Sequence, residues 1–196
     1  VVGAGDTQVT AQNGIQVYNA GTGEVTGVID NNEVRDMRYT PANWTASGIL
    51  IYYATTNLQV TNNTVVNAQS GIYVYGNAAA TGMNIEGNRV TGSDWAIING
   101  INDNATITGN KVTDNTDTGV YEWGSDGTSI TNNIFTGNLG GGYWNDGSTN
   151  VTVDGNWWGC PEGPGNPGCD DSTDPDANPL LQNPDGDDDM VFDPDD

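Results

Sequence analysis

The chain has 196 residues, of which 26 are acidic, four are basic and none is histidine, so its formal net charge is −22. A protein this acidic offers no basic patch to the phosphates of nucleic acid or to an anionic membrane surface. It also has no run of 18 apolar residues that could cross a bilayer. We therefore expect no nucleic-acid partner and no membrane span.

The acidity is unevenly spread along the chain. Residues 1–159 contain 14 Asp and Glu, and residues 160–196 contain the other 12. Because salt screens the self-repulsion of such a chain, we expect a halophilic, archaeal source, with an ordinary acidic secreted protein as the alternative. The chain begins in mid-pattern without methionine, which predicts a processed mature form or a fragment. Its first coil would then be either an open edge for stacking on another molecule or the continuation of further coils.

From residue 25 onwards, short apolar–x–apolar segments recur, each followed by asparagine. These asparagines are Asn32, Asn63, Asn88, Asn110, Asn133 and Asn156, and their spacings are 31, 25, 22, 23 and 23. A second anchor, a small residue followed by an apolar or aromatic one, recurs in step at Gly48-Ile49, Gly71-Ile72, Ala96-Ile97, Gly119-Val120 and Gly142-Tyr143. Two anchors with one period indicate a solenoid.

The repeats alternate apolar and polar residues and contain no amphipathic helical pattern, so each coil is predicted to consist of strands. The sequence therefore predicts an all-β fold, a parallel β-helix of about six coils with ~23 residues per coil. Equivalent apolar residues should stack inside it, for example Val60, Ile85, Ile107, Ile130 and Val153. The asparagines should stack at a tight bend, each preceded by Asn or Gly because that position needs positive φ.

The repeated phrases and the closing segment GNWWGCPEGPGNPGCD, Gly155 to Asp170, resemble the right-handed parallel β-helix repeat family. This pectate-lyase-like group includes secreted carbohydrate-binding proteins and sugar hydrolases. The resemblance covers roughly residues 25–170 and implies a right-handed solenoid. It does not fix a function, since this fold hosts lyases, hydrolases, adhesins and inert spacers.

Outward positions of the strand after the second anchor are rich in aromatic residues. One column reads Leu50, Tyr73, Ile98, Tyr121 and Trp144, the next reads Tyr52, Tyr75, Gly100, Trp123 and Asp146, and Tyr53 and Trp95 lie at the margins. Exposed aromatic stripes tend to mark binding surfaces, and flat rings with a polar edge suit sugar rings or a partner's side chains. The predicted binding face is Tyr52, Tyr73, Tyr75, Tyr121, Trp123 and Trp144. The alternative is that loops inserted at RDMRYTPANW and elsewhere fold over this face and bury it.

Carboxylates near this face are weak catalytic candidates, because a glycoside hydrolase needs two of them about 5–9.5 Å apart. They are Asp94, Glu122, Asp126 and Asp146. The resemblance implies a histidine or an Arg/Lys base in the enzymes of the group. This chain has no histidine, and its basic residues lie on another strand, so we lean against an enzyme. Glu122 should point inward and bond backbone groups at a turn, with a displaced strand as the alternative.

The end of the chain reads as a closing loop and an acidic tail. We predict a β-helix over 1–159, a loop over 160–182 held by a local Cys160–Cys169 disulfide, and a tail or linker over 183–196. Trp157 and Trp158 should cover the bottom of the barrel. No cofactor is expected apart from calcium at Asp185, Asp187 and Asp189, whose alternate spacing resembles the start of a calcium loop. A solvated linker is the alternative, because Met190 stands where an EF-hand needs glycine.

Four sequons, at Asn43, Asn62, Asn104 and Asn150, are candidate glycosylation sites in a secreted protein. The disulfide favours such an oxidising, extracellular or cell-surface location. The sequence therefore predicts an extracellular structural or adhesive module of a surface layer, filament or appendage. Its partner would be itself, by head-to-tail or lateral assembly, or a cell-surface glycan or protein. The alternative is a module that binds polysaccharide or, less expected, cleaves it.

Overall fold

The computed structural model describes residues 1–19, 24–42, 44–53, 56–76, 81–173 and 178–179. In these ranges the chain forms strands and no helix, and every strand pair is parallel. The strands form three sheets, one on each side of a solenoid. The predicted fold, an all-β parallel solenoid with ~23 residues per coil, is confirmed.

Each sheet takes one strand from every coil. The first sheet contains β1 (Val2–Gly5), β4 (Glu33–Met37), β7 (Thr64–Val66), β10 (Arg89–Thr91), β13 (Lys111–Thr113) and β16 (Ile134–Thr136). The second contains β2 (Asn13–Tyr18), β5 (Ser47–Tyr52), β8 (Ser70–Tyr75), β11 (Trp95–Gly100), β14 (Val120–Trp123) and β17 (Tyr143–Asp146). The third contains β3 (Val28–Asp30), β6 (Gln59–Thr61), β9 (Asn84–Glu86), β12 (Thr106–Thr108), β15 (Ser129–Thr131), β18 (Thr152–Asn156) and β19 (Asn178–Pro179).

The number of regular coils is smaller than predicted. About four turns keep the ~23-residue period, and they correspond to the four intervals between Asn63 and Asn156. The prediction of about six also counted the first coil, which the insertion lengthens to 31 residues, and the incomplete coil at the start. These irregular coils still add strands to each sheet.

The core is a stack of inward-facing aliphatic side chains. Val60 pairs with Ile85, which pairs with Ile107 and so on up to Val153, as the alternation predicts. The second-sheet column of Ile49, Ile72, Ile97 and Val120 is completely buried. Because one coil alone buries little apolar surface, stability comes from this stacking.

The predicted asparagine ladder runs the length of the solenoid. The Oδ1 atom of Asn88 accepts hydrogen bonds from the backbone N–H and the side-chain amide of Asn63, at 2.9 and 3.0 Å. The side-chain amide of Asn88 donates to the Val60 carbonyl at 2.8 Å. The same pattern repeats from Asn32 to Asn156. The residue before each ladder asparagine has a positive φ between 53° and 64°, as predicted.

A second ladder, which the sequence analysis missed, fixes the closing segment to the solenoid. Asn115 donates from its side-chain amide to Oδ1 of Asn138 at 2.6 Å, and Asn138 donates to the Asp170 carboxylate at 2.5 Å. The predicted disulfide joins Cys160 to Cys169, with 5.3 Å between the Cα atoms. The disulfide therefore holds the loop next to the carboxylate that ends this ladder.

The closing segment contacts the last coil in two ways. Its Trp158 side chain packs into the core, and its backbone pairs with the last strands. Trp158 is completely buried, and its ring lies 5.0 Å from that of Phe135. Ser172 pairs with Tyr143, and β19 pairs with β18. The domain boundaries at 160 and 183 stay predictions, and residues 180–196 lie outside the described part of the chain. Among the described residues, no helix is long and apolar enough to cross a membrane.

Candidate functional site

The outer face of the second sheet carries aromatic side chains at matching positions in successive coils. Strand register places Tyr18, Tyr52, Tyr75, Gly100, Trp123 and Asp146 in one column. Since neighbouring strands lie about 4.8 Å apart, these rings are brought within contact distance. We call the outer side of this sheet the aromatic face; it consists of Tyr18, Tyr52, Tyr53, Tyr73, Tyr75, Trp95, Tyr121, Trp123 and Trp144.

The centre of the aromatic face is a cluster of tyrosine rings. Tyr52 and Tyr75 are stacked, with centroids 5.1 Å apart and 14° between their planes. Tyr53 meets both rings edge-on, at 4.2 and 5.7 Å. Edge-on and stacked pairs are the arrangements that aromatic quadrupoles favour, so the cluster holds its own geometry.

The backbone of Tyr53 adopts an unfavourable conformation at this cluster. Its φ is 61°, in the left-handed region that a residue with a bulky side chain rarely occupies. Such a conformation costs roughly 1–2 kcal/mol and aims the ring back towards Tyr52 rather than along the strand. The residues at the equivalent position of later coils, Ile101, Gly124 and Gly147, also have positive φ, so this conformation belongs to the repeated turn after the second-sheet strands and is not confined to the cluster.

Gly100 makes the aromatic column continuous. A Cβ at this position would lie only 2.4 Å from the Cε2 and Nε1 atoms of Trp123. The indole therefore lies directly over the glycine backbone and reaches Tyr75, two coils away, with ring centroids 5.5 Å apart. A glycine in a strand that permits close approach of a ring is a known use of this residue. The ring surface thus extends from Tyr18 to Trp123.

The neighbouring column is more buried at its centre. Ile98 is 4% exposed, whereas Trp144 at the end of the column is 48% exposed. The Trp95 and Tyr121 rings stack with centroids 6.4 Å apart. The Tyr121 hydroxyl donates to Oδ2 of Asp146 at 2.7 Å, and this hydrogen bond raises the pKa of Tyr121 to about 12. The hydroxyl therefore remains protonated at neutral pH and is directed towards Asp146.

A pocket opens beside the tyrosine cluster. It has a volume of about 290 Å³ and is lined by Trp44, Thr45, Ser47, Leu50, Tyr52, Tyr73 and Tyr75. Trp44 belongs to the inserted segment and is 54% exposed. The segment thus forms one wall of the pocket and lies against part of the aromatic face, where Tyr52, Tyr73 and Tyr75 are half-buried. The volume of the pocket is at the lower limit for sites that bind small molecules.

The exposed catalytic candidates are each engaged separately. Asp94 pairs with Arg38 at 2.7 Å and accepts a hydrogen bond from Thr116 at 2.9 Å. Asp126 accepts from Thr149 and Asn150, both at 2.7 Å, and these bonds lower its pKa. Asp146 is the one that lies in the aromatic column. Each of the three carboxylates therefore has its own hydrogen-bond donors, and a catalytic role for any of them stays a prediction.

Glu122 lies inside the solenoid and is completely buried. Its carboxylate accepts hydrogen bonds from the Asn99 amide and the Tyr143 hydroxyl, both at 3.1 Å. The expectation that it bonds backbone groups at a turn is wrong, because its partners are side chains of adjacent coils. Burial raises its pKa, and the hydrogen bonds from Thr128, Asn99 and Tyr143 partly offset that effect. The interior position separates Glu122 from the other three candidates.

Three of the four sequon asparagines lie at exposed turns: Asn62, Asn104 and Asn150. All three have positive φ. The fourth, Asn43, and the calcium candidates Asp185, Asp187 and Asp189 lie outside the described residues. Within the described ranges, Cys160, Glu162 and Cys169 bring three potential metal ligands within 4.8 Å. The disulfide already occupies both of those sulfurs.

The structure adds Tyr18 to the predicted face and Trp44 to the wall of the pocket beside it. Tyr18 aligns with Tyr52 in the phrases NGIQVY and SGILIY, and their rings are 5.5 Å apart, so the repeat itself contained that signal. Trp44 lies in an insertion, where no repeat position predicts its direction.

Comparison with known families gives one match. A family model described as a right handed beta helix region matches residues 47–160, more than half of the chain. Searches of curated proteins and of solved structures return no significant match. The match covers the regular coils and includes β5, β8, β11, β14 and β17, which carry most of the aromatic face.

Proposed function

The chain belongs to the right-handed β-helix family, and we propose from that premise that it is an extracellular adhesive module that binds glycan on its aromatic face. The observation that carries the proposal is the ordered ring surface from Tyr18 to Trp123 with a pocket at its side. The scaffold is rigid, because the hydrogen-bonded asparagine ladders and the stacked core fix each coil on the next.

The chemistry of this surface fits sugar rings. Tyrosine and tryptophan rings offer flat apolar faces with a polar edge, and the Thr45 and Ser47 side chains line the pocket among them. The column from β5 to β17 spans four strand spacings, about 19 Å. A surface of that length accommodates several residues of an extended polysaccharide. The disulfide supports the extracellular location.

Sedimentation with insoluble polysaccharides tests the proposal. The protein should co-sediment with at least one neutral polysaccharide, and Tyr75→Ala combined with Trp123→Ala should abolish co-sedimentation. Leu139→Ala serves as the control, since Leu139 is exposed on a turn outside the aromatic face. If the double variant retains all glycan binding of the parent, the aromatic face is not the binding surface.

A structural subunit is the second candidate function, and the stacked architecture favours it. Each of the three sheets takes parallel strands from successive coils, and such stacked repeats form rigid, extended modules. Electron microscopy of the purified protein in high salt distinguishes the two candidates: filaments or sheets favour a structural subunit, and dispersed short rods favour the adhesive module.

A further inference from the structure

We infer that the aromatic face discriminates glycans by charge: it excludes acidic sugars and prefers sugars that carry protonated amines. This inference rests on the proposed function, and it names the chemical class of the ligand. It begins from the position of the positive charges in the molecule.

All four basic residues of the chain are described, and all four lie outside the second sheet. Arg35, Arg89 and Lys111 belong to β4, β10 and β13 of the first sheet, and Arg38 follows β4. Arg35 forms an ion pair with Glu33, and Arg38 is held by Asp94. The six strands of the second sheet contain neither Lys nor Arg. A carboxylated or sulfated sugar on this face would therefore have no cation from its strands to replace its lost hydration.

The face itself has the electrostatic character of a cation site. The faces of aromatic rings carry negative potential, and a cation within about 6 Å of a ring centroid is attracted to it. Tyr52, Tyr53 and Tyr75 supply three such rings within 5.7 Å of one another. The Tyr52 phenol stays neutral rather than anionic, because hydrogen bonding with Tyr53 raises its pKa to about 12.

One carboxylate completes this pattern. Asp146 continues the aromatic column one strand beyond Trp123 and is fixed by the Tyr121 hydroxyl at 2.7 Å. When the adjoining sugar units of a glycan stack on the rings of the aromatic column, an amino sugar at the end of the column would place its ammonium group against the Asp146 carboxylate. The net charge of −22 adds a long-range attraction for cationic ligands, which salt removes, whereas the direct contacts persist.

Three oligosaccharides of equal length test the inference by calorimetry: a glucosamine hexamer with protonated amines, the N-acetylglucosamine hexamer, and a galacturonic acid hexamer. The first two share one backbone and differ in the charge at each nitrogen. We expect the glucosamine hexamer to bind at least about fivefold more tightly than its acetylated form. In 1 M salt the ratio should shrink but remain above one. The galacturonic acid hexamer should bind at least tenfold more weakly than the acetylated form.

Two charge variants locate the effect. Asp146→Asn should weaken binding of the glucosamine hexamer about threefold or more and leave binding of the acetylated hexamer within twofold. Asp154→Asn makes the same charge change at an exposed position on β18. This variant should bind both the glucosamine hexamer and the acetylated hexamer as the parent does. Equal loss of preference in both variants would mean that only the net charge acts, which overturns the role assigned to the face.

The outcomes separate this inference from the proposed function. If the galacturonic acid hexamer binds as tightly as the others and Trp123→Ala abolishes its binding, the charge inference is wrong and the aromatic face remains the glycan site. If none of the three hexamers binds, the inference is also wrong. The polysaccharide sedimentation assay then tests separately whether the aromatic face binds glycan at all.

Discussion

Gly100 allows a direct test of the continuous aromatic column. In Gly100→Ala the new methyl group would lie 2.4 Å from two atoms of the Trp123 ring. The ring must move by about 1 Å or more to reach ordinary van der Waals separation. Trp123 is only half-buried and can swing outward, so the backbone of β11 need not change.

The stability of Gly100→Ala should remain close to that of the parent. Loss of the ring contact between Trp123 and Tyr75 costs about 0.5–1.5 kcal/mol, and replacing glycine within a strand returns about 0.5–1 kcal/mol. The free energy of unfolding, measured with urea, should therefore change by less than about 1 kcal/mol. Glycan affinity should fall about tenfold, which corresponds to 1.4 kcal/mol, because the displaced ring no longer lies in the plane of the column.

The assay is calorimetric titration of parent and variant with the same oligosaccharide. Gly27→Ala is the matched control, since a Cβ there has no atom within 4 Å, and it should bind like the parent. In a Trp123→Ala background, Gly100→Ala should have no further effect on affinity. Unchanged affinity in Gly100→Ala alone would refute the account of the column.

Three further predictions concern the scaffold. Asn110→Ala removes the acceptor of the buried Asn88 backbone N–H and takes one hydrogen bond each from the Asn88 side-chain amide and the Ile85 carbonyl, so urea unfolding should show a loss of about 3 kcal/mol. Asn32→Ala, at the half-buried end of the ladder, should lose less than half of that. Burial raises the pKa of Asp170 to about 6 from 3.8, so the folded state binds this proton more tightly than the unfolded chain. The contribution of Asp170 should therefore make the fold less stable as pH rises from about 4 to 6, by up to about 3 kcal/mol. Comparison of stability against pH should show a flatter slope for Asp170→Asn, and an equal slope would contradict the assignment. Reduction of the disulfide opens a short loop and should cost about 2–3 kcal/mol, visible as a lower urea midpoint with reductant, while a variant with both cysteines replaced by serine should not respond to reductant.

The repeating parts of the molecule could be predicted from sequence because one physical rule operates in every coil. The inward column from Val60 to Val153 and the ladder from Asn32 to Asn156 each recur with one period, so alternation and spacing suffice to place them. The outward column of Tyr52, Tyr75 and Trp123 was predicted in the same way.

Most features that the sequence did not reveal depend on contacts that occur once. The second ladder repeats from Ser93 through Asn115 to Asn138 at separations of 22 and 23 residues, but its end on Asp170 lies in the closing segment rather than in a coil. Tyr53 occupies a turn position at which Ile101, Gly124 and Gly147 also have positive φ, but Tyr53 alone of these four carries a ring, so its contacts with Tyr52 and Tyr75 do not recur. Trp44 becomes a pocket wall through the path of an insertion, and the partners of Glu122 are fixed by which side chains the adjacent coils place beside it. The number of regular coils was overestimated because irregular end coils contain the same short phrases.

The most direct test of the central claim is an NMR titration that observes selectively labelled tyrosine rings while an oligosaccharide that binds the protein is added. Ring signals of Tyr52, Tyr73 and Tyr75 should shift together and saturate at the affinity measured by calorimetry, because these rings line the pocket. The Tyr39 signal, from a residue outside the aromatic face, should remain unchanged. Saturable binding that leaves those three rings unshifted would show that the glycan site lies elsewhere on the solenoid.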